Sequence, residues 1–135
     1  MKTAVRKCCL ALLVVMGIGL MISHVSGRSI ADYDVTIPRF GAITTGRVYK
    51  ENSSNGVNRN YAIGGNKRMT TSIRLTRTGG DITPSLQMSS GSRIILRYNG
   101  GGDAYAGSTT TLALATPLTT VVRVQAQGSW SPDEW

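Results

Sequence analysis

The stretch Met69-Thr70-Thr71-Ser72-Ile73-Arg74-Leu75-Thr76-Arg77 sets Ile73 and Leu75 on one side and Ser72, Arg74 and Thr76 on the other. A period of two among β-branched residues marks a half-buried strand. Gly79-Gly80-Asp81 breaks it, and the same pattern recurs in both directions along the chain. Downstream, Ile94, Leu96 and Tyr98 alternate with Arg93, Ile95 and Arg97, and the turn Asn99-Gly100-Gly101-Gly102-Asp103 follows. Leu112 and Leu114 stand against Thr111 and Ala113, and Val122, Val124 and Ala126 against Val121, Arg123 and Gln125. Residues 82–88 are a shorter candidate around Pro84. Upstream, Tyr33, Val35 and Ile37 alternate with Asp34 and Thr36 until Pro38 stops the strand. Residues 47–50 are a short candidate closed by the polar cluster 52–56, and Tyr61 and Ile63 alternate before Gly64-Gly65-Asn66. No ten-residue window has the i, i+3, i+4, i+7 spacing of a helix. Seven or eight short strands, with turn clusters about every ten residues, predict an all-β fold: one small antiparallel sandwich or barrel.

The first 27 residues read differently. Lys2, Arg6 and Lys7 precede a charge-free run over residues 8–22, CCLALLVVMGIGLMI, and Ser23-His24-Val25-Ser26-Gly27 follows. A basic start, an apolar middle and a small-residue exit make a secretory signal peptide. Fifteen helical residues span only about 22 Å, short of a bilayer core, so the expectation is a cleaved signal-peptide helix over 1–27 and no stable transmembrane span after cleavage. Cleavage falls after Gly27 or after Ala31. Residues 28–135 then form a single all-β domain, exported and extracellular.

The chain carries 15 Lys+Arg, 7 Asp+Glu and one His, a formal charge of +8. Loss of Lys2, Arg6 and Lys7 leaves twelve bases against the seven acids, a net of +5, with only Lys50 and Lys67 not Arg. Cys8, Cys9 and His24 leave with the signal, so the exported domain has neither Cys nor His. A serine nucleophile then lacks its usual base, no thiolate exists, and zinc or copper has no preferred ligand. Asp81 and Asp103 follow glycines, but each offers one carboxylate where calcium takes six to eight oxygens. Lys50 and Lys67 lie in polar surroundings that predict solvated ammonium groups. No enzyme, cofactor or metal site is expected. An exported domain without disulfides points to a Gram-positive secretory route.

The arginines carry the direction. Arg74, Arg77, Arg93, Arg97 and Arg123 come from three predicted strands, and Arg74, Arg93, Arg97 and Arg123 alternate with core-facing apolar residues, which predicts an Arg-rich outer sheet face. Arg forks suit phosphate, so the expected partner is an anionic envelope polymer or lipid headgroups. Nucleic acid is not expected, because Tyr98 alternates inward and no aromatics interleave with the bases. Trp130, two residues past Gly128, either caps the core or joins an aromatic binding patch; Trp135 is expected to fray.

The signal, the opening Tyr33-Asp34-Val35-Thr36-Ile37-Pro38 and the closing Gly128-Ser129-Trp130-Ser131-Pro132-Asp133 together resemble small uncharacterised secreted all-β proteins of Gram-positive bacteria. The resemblance covers the two ends of the domain and its Gly-rich texture. It implies a secreted bacterial β-domain, in some members tied to peptide export or bacteriocin systems, and no catalytic residue comes with it. The expected function is therefore a secreted non-enzymatic β-domain binding an anionic envelope component. The alternative is a bacteriocin-like, membrane-active antagonist, for which Leu112-Ala113-Leu114-Ala115 would have to be exposed.

Overall fold

The computed structural model describes residues 29–117 and 119–135, so the expected signal peptide lies outside the described residues. The domain is all-β, in two antiparallel sheets. Nine strands run in chain order: β1 (Ala31–Ile37), β2 (Ala42–Thr44), β3 (Val48–Tyr49), β4 (Gly56–Ile63), β5 (Met69–Leu75), β6 (Leu86–Met88), β7 (Arg93–Leu96), β8 (Thr109–Ala115) and β9 (Val124–Ser131). One sheet has the order β1-β9-β4-β7; the other has β2-β8-β5-β6, with β3 also paired to β8. The alternation that predicts β1, β5, β7 and β8 matches their observed extents within two residues.

Both sheets contribute to one core, in the manner of a β-sandwich. Tyr33, Ile37, Leu96, Val124, Ala126 and Trp130 from the first sheet meet Met69, Ile73, Met88, Leu112 and Leu114 from the second. Leu112 and Leu114 are fully buried and Ala113 nearly so. Asp32, Asp34 and Thr36 of β1 face outward, as period two requires.

The polar positions of β4 are the surprise. Asn58 and Asn60 point inward, where an apolar side chain would be expected. They persist because each finds partners. The Tyr33 hydroxyl donates to Asn58 Oδ1 at 2.9 Å, Asn58 Nδ2 donates to Thr71 Oγ1 at 3.0 Å, and Asn60 Nδ2 donates to the Gln127 carbonyl at 3.0 Å. A bulge between Asn60 and Ala62 shifts the β4–β9 register.

Two expectations need correction at β9. The strand begins at Val124, and Val122, expected on the core face, is 49% exposed; Val121, expected on the outer face beside Arg123, is 60% exposed. They are β-branched, but no neighbouring strand reaches them. Trp130 is completely buried, so it belongs to the core and to no binding patch. Trp135 is held by Arg93, whose Nη2 donates to its main-chain oxygen at 2.9 Å and whose guanidinium lies 5.7 Å from the ring centroid.

Lys50 also departs from expectation. It is fully buried, and its Nζ donates to Asp133 Oδ1 at 2.7 Å, to the Ser54 carbonyl at 2.6 Å and to the Pro132 carbonyl at 3.2 Å. The Tyr98 ring lies beneath it at 4.4 Å, and the Tyr98 hydroxyl donates to the Pro132 carbonyl at 2.6 Å. Asp133 in turn accepts from the main-chain N–H groups of Glu51 and Asn52. This latch ties the chain after β9 to the β3–β4 loop.

Candidate functional site

The four arginines singled out in the sequence do not form one face. Arg74 lies on β5 in one sheet, Arg93 on β7 in the other, Arg97 just beyond β7, and Arg123 just before β9. Arg93 stands directly opposite Arg59 of β4, and Arg59 lies 5.9 Å from the Tyr61 ring centroid. Arg123 lies at the end of the sandwich where β1 and β4 finish, far along β9 from the row that holds Ser129, Arg59 and Arg93.

A different set does converge, on the outer face of the second sheet around Arg74. Two open depressions of about 440 and 420 Å3 lie side by side and share Arg47 and Thr76 in their walls. Arg77 completes the first, with Ser108 and Thr109; Arg74 completes the second, with Thr44 and Thr111. The backbone explains the convergence. β2 pairs with residues 113–115 of β8 and β3 with 109–110, so the edge changes strand at Thr45-Gly46-Arg47 and leaves Arg47 exposed beside β8. On the far side of β8, Arg74 is in register with Thr111, and the Thr76 N–H donates to the Thr109 carbonyl at 3.1 Å. The turn after β5 closes through Gly79 N–H to the Leu75 carbonyl, with Gly79 at φ +70°, and this turn sets Arg77 at the rim.

The charges of the groove are unequal. Arg74 Nε contacts Asp81 Oδ1 at 2.9 Å, and the Ser72 hydroxyl donates to the same oxygen, so the Arg74 charge is largely matched. Arg47 and Arg77 make no ion pair among the described residues. The Thr76 Oγ1 is buried in the wall and has no hydrogen-bond partner among the described residues. Chemically this is a shallow cationic trough lined with hydroxyls, suited to bind phosphate or another oxyanion while hydrogen-bonding sugar or glycerol hydroxyls. Arg47 escapes the sequence reading because it opens a run too short to show alternation. Its approach to Arg77 depends on the β3–β8 pairing.

Three carboxylates have side-chain partners. Asp133 pairs with Lys50, Asp81 with Arg74, and Asp34 accepts from the side-chain amides of Gln125 and Gln127. Among the described residues no three His, Cys, Asp or Glu side chains group as metal ligands, and no helix is long and apolar enough to cross a membrane. No protein-family model, curated protein or solved structure matches the chain.

Proposed function

We propose that this chain is an exported, non-enzymatic β-domain that binds an anionic, hydroxyl-bearing polymer of the cell envelope in the groove of Arg47, Arg74 and Arg77. The observation that carries this reading is the convergence of three arginines with the hydroxyls of Thr44 on β2, Thr76 just past β5 and Thr109 and Thr111 on β8, with Asp81 paired to Arg74 beside them. Guanidinium forks address phosphate oxygens, and the threonine hydroxyls address the groups between phosphates. The burial of Leu112 to Leu114 favours this reading over the membrane-active alternative, which needs that stretch exposed.

The test is titration of a fluorescent poly(glycerol phosphate) oligomer with the protein at low and high ionic strength. Binding is expected at low salt and should weaken steeply with added salt, as charge-driven binding does. The double variant Arg47→Gln/Arg77→Gln should bind about tenfold more weakly, from about 0.7 kcal/mol for each exposed contact. An unchanged affinity in that variant, or no binding at low salt, overturns the reading.

A further inference from the structure

Four connections meet at one end of the sandwich. Ile37 lies opposite Val124, Ile63 opposite Ala126, Ala42 opposite Ala115, and Met69 opposite Met88, so the β1–β2, β4–β5, β6–β7 and β8–β9 connections all turn there. Three apolar side chains protrude from this end: Phe40 is 69% exposed, Val121 60% and Val122 49%. Around them stand Arg39, Lys67, Arg68 and Arg123, all exposed. The Arg39 guanidinium lies 5.3 Å from the Phe40 ring centroid. Residues 38–41, 64–68, 89–92 and 116–123 contain no acid at all. The nearest acid along β1, Asp34, is taken up by Gln125 and Gln127. Beside Arg68 lies a recess of about 290 Å3, whose lining includes Gln87, Ser89 and Ser92.

We infer that this end is a membrane-docking tip that seats on an anionic lipid bilayer. The arrangement divides the work by chemistry. Phe40, Val121 and Val122 are solvated at a cost in water and gain by entering the acyl boundary, while the four cations meet headgroup phosphates. Arg and Lys stems are long enough to lie along apolar surface with the charge at the headgroup level. A soluble polyanion would satisfy the cations and leave the three apolar side chains in water. A second copy of the same tip would set four cations against four. An anionic bilayer answers both the charge and the apolar exposure. Three protruding side chains on turns reach only the interface, so the tip docks and does not span. This surface is separate from the Arg47 groove, which opens on the sheet face toward the β3 and β8 start.

The experiment uses the β-domain, residues 28–135, whose two sheets share one core, with phosphatidylglycerol/phosphatidylcholine vesicles and pure phosphatidylcholine vesicles. Co-sedimentation is expected with the anionic vesicles only, falling as salt rises. Each of Arg39→Gln, Lys67→Gln, Arg68→Gln and Arg123→Gln should weaken binding about fivefold, and Phe40→Ser about tenfold. In Phe40→Trp, the tip tryptophan should shift its emission to the blue on anionic vesicles, read as the difference from the parent, whose Trp130 and Trp135 supply the background. The Arg47→Gln/Arg77→Gln groove variant should sediment as the parent does, and the tip variants should keep their poly(glycerol phosphate) affinity. No sedimentation with anionic vesicles at low salt, no loss in Phe40→Ser, or loss in the groove variant alone overturns the tip.

Discussion

Replacing Lys50 with Met tests whether the domain is locked at its other end. The methionine keeps most of the stem volume and removes the charge and all three donated hydrogen bonds, to Asp133, Ser54 and Pro132. The Pro132 carbonyl still accepts from Tyr98, and Asp133 still accepts from the N–H groups of Glu51 and Asn52. A carboxylate with no exposed surface nevertheless loses the cation it pairs with. Breaking a buried pair by removing one partner costs about 3–5 kcal/mol. At about 4–8 °C of midpoint per kcal/mol for a domain of this length, the melting temperature should fall by at least about 12 °C. Thermal and urea unfolding followed by near-ultraviolet circular dichroism reads the loss. The decisive comparison is the double variant Lys50→Met/Asp133→Asn, in which no uncompensated charge remains. It should be more stable than the sum of the single losses predicts, with a coupling of about 2 kcal/mol. A Lys50→Met loss below about 1 kcal/mol, or strictly additive singles, refutes the argument that the pair closes the domain.

Two further expectations concern the same end. Burial raises the Tyr98 hydroxyl far above its ordinary value of 10.0, with the Asp133 charge adding to the effect, and burial raises Tyr33 as well. The unfolded chain therefore ionises these groups first, so stability present below pH 10 is lost as pH climbs past it; urea midpoints from pH 8 to 11 should fall steeply in the parent and less steeply in Tyr98→Phe, and parallel slopes would contradict the assignment. A methyl group at Gly102 would meet the main-chain carbonyls of Ser53 and Ser54, whereas at Gly56 its closest neighbour is the movable tip of Ile73. Gly102→Ala should therefore cost about 1–3 kcal/mol by crowding and more than Gly56→Ala in parallel denaturant melts; the reverse order would show that the 53–54 loop yields.

The sequence discloses those strands whose inner and outer positions differ in polarity, such as Tyr33-Val35-Ile37 against Asp34 and Thr36, or Ile73 against Arg74. It misleads where polarity and burial part company. The first half of β4 shows no alternation because Asn58 and Asn60 occupy its core positions, and their partners Tyr33, Thr71 and Gln127 lie 13 to 67 residues away. Lys50 reads as solvated for the same reason: its partner, Asp133, is 83 residues distant. Val121 and Val122 have the residue type of a strand, but strand pairing needs a neighbour, and β1 turns away after Ile37. The arginine groove requires β3 to sit beside β8 and β8 beside β5, information that no local period contains. Single residues could be nominated from the sequence; their meeting could not.

The placement of charge links the latch, the groove and the tip. Glu51, Asp103, Asp133 and Glu134 lie in the connections at the latch end, where β3 meets the start of β8 and Asp133 reaches back to Lys50, and Arg77 and Arg97 offset part of their charge. The tip end carries four cations and no acid in its turns. If the tip docks as proposed, the uneven charge should turn it toward a negative surface before contact. That orientation presents the Arg47 groove along the side of the sandwich, parallel to the strands, where an anionic polymer rising from the same surface would run. On the two proposals together, groove and tip would act on one surface only if the sandwich holds them at a fixed distance. Loosening the latch by Lys50→Met should therefore leave binding at each site measurable while the fold persists, and should abolish both together once it melts.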